Sequence, residues 1–169
     1  LGLLIATGAV FAATSRPENP RDSVARVELA QGLAQLERNG LTIDLQSGQT
    51  VARRDQVRTG PTGRVSLLFH DGSRLAIGEN ALLLVADYVA EEGRRRGALI
   101  LDLIRGAIRL VASKAQRAPD KRIEVRTAAA TLSSQGVDFW SGPVDDTLAV
   151  LLIAGKLDVR NEAGLVMLD

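Results

Sequence analysis

Glycine behind a small or polar residue recurs along the chain, at Asn39-Gly40, Ser47-Gly48, Asp71-Gly72, Arg105-Gly106, Gln135-Gly136, Ala154-Gly155 and Ala163-Gly164, with Gly60-Pro61 in the same series. Glycine accepts positive φ without a Cβ clash, so each pair is a place where the chain can reverse. Reversals every 8 to 20 residues or so leave room for short strands and little room for long helices. The segments between them alternate with period two. IEVRT sets Ile123, Val125 and Thr127 against Glu124 and Arg126; AIRLV sets Ile108 and Leu110 against Arg109; KLDVR sets Leu157 and Val159 against Asp158 and Arg160. In RVSLLF the apolar phase is Val65, Leu67 and Phe69. Side chains on a strand point alternately to the two faces, so these runs predict half-buried strands and an all-β fold.

The predicted core consists of Val65, Leu67, Phe69, Ile123, Val125, Leu148, Val150, Leu157 and Val159. The uncharged run LAVLLI (Leu148 to Ile153) reads as a strand buried on both faces, placed in the middle of the fold. LILDLI (Leu99 to Ile104) is apolar on nearly both faces. Val24 to Arg38 carries Val24, Leu29, Leu33 and Leu36 at mixed spacings that admit a helix. Val57-Arg58-Thr59 and Val125-Arg126-Thr127 each precede a turn and a Gly-punctuated strand. Such units suit a solenoid-like, β-helix-like stack of short strands with Gly-rich turns.

A length of 169 residues with 46% hydrophobic and 24% charged residues suits a single domain able to fold alone. Residues 1–13 are uncharged and the next ten include Arg16, Pro17, Pro20 and Arg21. Thirteen apolar residues fall short of the roughly 20 that span a bilayer as a helix, but match the apolar part of a signal peptide, with Val10 and Ala12 at the −3 and −1 cleavage positions. The division that follows is residues 1–13 as a signal peptide or membrane-anchor remnant, 14–23 as a linker, and 24–169 as the β domain. The expected location is periplasmic or exported, with attachment to the inner membrane through residues 1–13 where they remain uncleaved.

Taken in order, QVRTGPTGRVSLLFHDGSRLAIGENALLLV, LILDLIRGAIRLV, IEVRTAAATLSSQGVDFW and LAVLLIAGKLDVRNEAG resemble the FecR domain family over about residues 48 to 162. The matching units are Val57 to Ile77, Leu103 to Val111, Val125 to Phe139 and Val150 to Val159. Each alone is a common turn-and-strand phrase; four in the right order are specific. The resemblance implies an envelope-exposed, solenoid-like β domain. In the best-known members this domain follows a cytoplasmic anti-sigma region and one membrane span, and relays signals from an outer-membrane transporter to a sigma factor. The chain does not begin with Met, and the part upstream is expected to be a basic signal-peptide start or a longer anchor with a cytoplasmic domain before it; the expectation carried over from the resemblance is therefore the domain rather than the relay.

Chemistry is sparse. With no cysteine and one histidine the chain has neither a thiol nucleophile nor a Cys or His set for a metal, and Glu91-Glu92 and Asp145-Asp146 lack calcium-loop spacing. Gly60-Pro61-Thr62-Gly63 lacks the Lys-Ser/Thr ending of a phosphate cradle, so no cofactor is expected. A triad of His70, Asp71 and Ser133 or Ser134 would need geometry that spacing does not supply, and no Gly-x-Ser-x-Gly elbow is present. Asp71-Gly72 reads instead as a scaffold turn, with His70 facing solvent opposite in phase to Phe69. No enzyme is predicted.

A net charge of +1 and 3% aromatic content give no footprint for nucleic acid. The candidate partner contacts are Trp140 and the run Arg94, Arg95 and Arg96. Phe139-Trp140 must send one ring inward and one outward, and an outward Trp140 suits an interface anchor as well as a cover for the end of the stack. The arginines follow two glutamates, and read as a solvated loop or as a contact with an acidic partner, with Arg53, Arg54 and Arg105. The expected function is a non-enzymatic envelope module that binds a protein partner or senses a signal; the alternative is a domain that binds peptidoglycan or another envelope glycan.

Overall fold

The structure, a computed structural model, describes residues 23–89, 97–113, 122–134 and 136–169. It is all-β, as expected: no helix occurs among these residues. The strands are β1 (Ser23–Gln31), β2 (Ala34–Arg38), β3 (Leu41–Asp44), β4 (Thr50–Ala52), β5 (Gln56–Thr59), β6 (Arg64–Phe69), β7 (Arg74–Ile77) and β8 (Leu82–Val89) in the first half. They continue as β9 (Ala98–Arg105), β10 (Ile108–Val111), β11 (Arg122–Arg126), β12 (Thr131–Ser134), β13 (Asp138–Val144), β14 (Thr147–Ala154), β15 (Leu157–Asn161) and β16 (Gly164–Leu168).

These strands form two sheets, a seven-stranded one in the order β14-β13-β10-β7-β6-β1-β4 and a nine-stranded one in the order β16-β15-β12-β11-β9-β8-β5-β2-β3. One hydrophobic cluster is shared by both, and the stacked rings of Phe69 on β6 and Tyr88 on β8, with centroids 6.1 Å apart, join the layers. No solenoid is found. Coils stacked one on the next would pair in parallel, whereas among the described residues the only parallel pair is β9 with β11, and the chain instead moves between sheets largely as antiparallel hairpins.

The alternation reads out faithfully where strands are regular. Val65, Leu67, Phe69, Ile123, Val125 and Leu157 are buried. Leu148, Val150 and Val159 are only half-buried, and the reason is position: β14 is the edge of its sheet, not the middle, and β15 lies next to the other edge. An uncharged run therefore had two readings, and the edge was the one taken. In Val24 to Arg38 no helix forms; β1 carries irregularities between Ser23 and Ala25 and between Val27 and Leu29. Each bulge inserts a residue and resets the phase, which produces the mixed apolar spacing.

Two acids are buried that alternation alone assigns to solvent or turn. Asp55 is held by Arg38, Nε to Oδ1 at 2.8 Å and Nη2 to Oδ2 at 2.5 Å, and accepts the Ala52 N–H at 2.6 Å. Glu124 shares the outward phase of β11, yet Arg122 and Arg126 lie over it and hydrogen-bond its two oxygens, removing it from water. A bidentate or doubled guanidinium contact is what makes such burial tolerable. The two Val-Arg-Thr threonines hold turns differently: Thr59 Oγ1 accepts the N–H of Ala81, 22 residues on, whereas Thr127 Oγ1 accepts those of Ala129 and Ala130 in its own turn.

Burial, and next the charge of Asp71, raise the Tyr88 phenol from 10.0 to about 12. Tyr88 is the only tyrosine, so a near-ultraviolet titration reads it alone. The phenol of the folded protein should ionise near 12, and stability should decline as pH rises from about 10, where the unfolded chain already releases the proton, toward that value. An ordinary midpoint near 10 in folded protein would contradict the packing of Tyr88 against Phe69.

Candidate functional site

On the seven-stranded sheet, the register aligns one row of outward side chains across six strands. Leu29 of β1 lies opposite Ser66, Ser66 opposite Ala76, Ala76 opposite Arg109, Arg109 opposite Trp140, and Trp140 opposite Leu151 of β14. Opposed residues in antiparallel strands share a face, so the row is continuous. Its centre is low because Ser66 and Ala76 are small. Its ends are high, with Leu29 at one side and Trp140 with Pro143 at the other, and the open hollow between them has a volume of about 720 Å³.

Phe139 points inward and is buried; Trp140, one residue on, stands half-buried on this outer face. Arg109 beside it is fixed by Asp138, Nε to Oδ1 at 3.1 Å and Nη2 to Oδ2 at 2.9 Å. The hydrogen bonds to Asp138, and then its charge, hold the guanidinium above its ordinary value. The hollow thus offers an aromatic wall, a floor of small residues and Arg109 oriented by a fork, with Arg64 and Glu79 also on its lining. Such a set can bind by shape, contact and charge.

Arg94, Arg95 and Arg96 lie outside the described residues. Arg53, in the turn between β4 and β5, reaches Asp87 of β8 at 3.5 Å, and Arg105 ends β9 opposite Leu82; no described contact joins them to Arg54. His70 is exposed on the turn from β6 to β7, whereas Ser133 and Ser134 are on β12 of the other sheet and the Ser134 hydroxyl donates to the Lys156 carbonyl at 2.9 Å. The turn beside His70 is knit internally: the Ser73 N–H donates to Asp71 Oδ1 at 2.8 Å and the Gly72 N–H to the Phe69 carbonyl at 2.9 Å. Among the described residues no group of three or more His, Cys, Asp or Glu is placed to hold a metal ion.

Sequence reading singled out Trp140 but not Ser66, Ala76, Arg109, Asp138 or Leu151. Ser66 and Ala76 are the small outward members of RVSLLF and RLAI, a visible signal, but only strand order makes them neighbours.

Residues 55–158 match the family described as FecR protein. The chain belongs to that family. Two solved structures of a protein from Parabacteroides distasonis ATCC 8503, described as a "putative anti-sigma factor", superpose with TM-scores of 0.53 and 0.54 at 16% identity, covering 67% of this chain. They share its fold, and this chain spans about half the length of the solved chains. No curated protein matches it. Val57, Thr59 and the Asp71-Gly72 turn fall within the FecR match, as do Arg109 and Trp140, so the hollow is built on the family's own strands apart from Leu29.

Proposed function

We propose that this FecR-family chain is a non-enzymatic signalling module of the bacterial envelope that engages a protein partner through the outer face of the seven-stranded sheet. The observation that carries the reading is the cross-strand row from Leu29 to Leu151, with Trp140 at the far side of a floor of Ser66 and Ala76. Tryptophan and arginine dominate interface energetics, and here both are pre-set, Trp140 by the strand and Arg109 by Asp138. The fold shared with a protein described as an anti-sigma factor supports regulation, and the apolar segment at residues 1–13 supports export to the periplasm, with linker 14–23 spacing the domain from the membrane.

The decisive experiment is capture from envelope extracts with wild-type protein and with Trp140→Ala. A specific protein should be retained by the wild type and lost by at least about tenfold with Trp140→Ala, while the melting temperature stays nearly unchanged because the ring is only half-buried. Equal retention by both would remove the face from the interface. Pelleting with purified cell wall forms the companion arm: sedimentation with peptidoglycan that Trp140→Ala abolishes would replace the protein partner with the glycan.

A further inference from the structure

The two strand orders run in the same sense from C-terminal to N-terminal strands, so β14 and β16, the C-terminal edges, lie at one end of the molecule. Among the described residues that end is uncovered. Leu151 is 59% exposed and Ile153 48%, and the inward residues Val150 and Leu152, with Val159 and Leu168 of the facing sheet, pack against the core yet stay partly exposed. The other edges are shorter: β4 has three residues, β3 four, ending in Asp44, and β16 five, GLVML, also uncharged. β14 is the longest edge, eight residues, TLAVLLIA, without a charge. Natural edges of this length carry charges, proline or a cover, because their free N–H and C=O groups template another strand. β14 has one bulge, at Ile153, where Phe139 pairs with Leu152 and Asp138 with Ala154.

Charges do flank the strand, arranged by sign. Asp145 and Asp146 form the two-residue turn entering it, with φ of 49° and 59°, and Lys156 follows it. A turn with positive φ at both positions favours Asn-Gly, so two aspartates are a costly choice there. All three side chains are exposed and make no ion pair among the described residues.

We propose that β14 is a self-association edge, where a second copy of this chain adds antiparallel across a twofold axis to make one continuous sheet. The register follows from the strand itself. With Val150 on the axis, Leu151 lies opposite Ala149 and Leu152 opposite Leu148; counting the bulge at Ile153 as one step, Lys156 arrives opposite Asp145, and the twofold repeats that pair at the other end. An acid-first, base-last uncharged strand is self-complementary only in the antiparallel sense. A parallel neighbour would set Asp against Asp and Lys against Lys. On the outer face Leu151 and Trp140 of each copy form one apolar strip; on the inner face the half-buried Leu148, Val150 and Leu152 meet their counterparts.

Sedimentation equilibrium on the full chain tests this with three variants: Leu151→Lys, Lys156→Glu, and Asp145→Lys combined with Asp146→Lys. The wild type should dimerise, and each variant alone should associate at least about tenfold more weakly, since each sets like charges together or places a charge on the joined edge. The two charge-reversed variants should recover association when mixed. In the mixed pair the new carboxylate at position 156 of one copy faces the new ammonium at position 145 of the other, and at the opposite end the unaltered Asp145 faces the unaltered Lys156. Native mass spectrometry would identify that mixed dimer. Melting curves show which variants fold, and the mixing result decides even where Leu151→Lys does not. A wild type that stays monomeric, including one whose edge takes a strand from a different protein, overturns the proposal. So does a dimer that all three variants leave intact.

Discussion

Phe69→Asp should leave the protein without a cooperative melt. Phe69 is 1% exposed and lies where the sheets meet, stacked with Tyr88. Its burial alone is worth about 1.5–3 kcal/mol, and the replacement leaves a carboxylate in the same apolar space, which costs several kcal/mol more. Against a total stability of about 5–15 kcal/mol for a domain, that is most or all of it. Circular dichroism should show loss of the β signal and thermal scans no transition, whereas Phe69→Leu should retain both with a lower midpoint. A Phe69→Asp protein that melts like the wild type would mean that the inward phase of RVSLLF is the other one.

The phase of that strand was legible because β6 runs without interruption from Arg64 to Phe69 between two partners, so each side chain has a fixed face. What could not be read locally was neighbourhood. LAVLLI has the composition of a central strand, and only the sheet order shows that β13 covers one side of it and that no described strand covers the other. The same limit hid the hollow: Leu29, Ser66, Ala76, Arg109 and Leu151 are far apart in the chain and meet through registers that no single segment encodes. Bulges blur the signal further, since the extra residue in β1 turns a period-two pattern into one that passes for a helix. Glu124 shows a third limit, because period two assigns a face and not an exposure; two arginines two residues away on the same strand cover what the pattern leaves open. Trp140 was found because a Phe-Trp pair on a strand has to divide between faces, a rule that needs no neighbours.

Gly106→Val and Gly155→Val should be far more damaging than Gly72→Val, and the reason is twofold. Both residues have positive φ, +90° and +96°, where a β-branched side chain costs about 1–3 kcal/mol. Neither has room for a Cβ: at Gly106 it would lie 2.5 Å from the Ala81 Cα, and at Gly155 2.5 Å from the Gly136 carbonyl oxygen. Those obstacles are backbone, so relief requires moving a strand connection rather than turning a side chain. Gly72 separates the two causes. It has a comparable φ of +83°, but a Cβ there would meet only the Ser113 Cβ at 3.4 Å, so Gly72→Val should show the conformational cost nearly alone. His70→Ala, at the exposed neighbour two residues away, should cost within about 0.5 kcal/mol. At about 2–4 °C per kcal/mol for a chain of this size, the expected order of melting temperatures is His70→Ala nearest the wild type, then Gly72→Val, then Gly106→Val and Gly155→Val together well below. A Gly72→Val protein melting as low as Gly106→Val would assign the loss to φ and acquit the backbone contacts; a His70→Ala protein melting below all three would make the residue beside Asp71-Gly72 a structural or functional centre that the described hydrogen bonds of that turn do not account for.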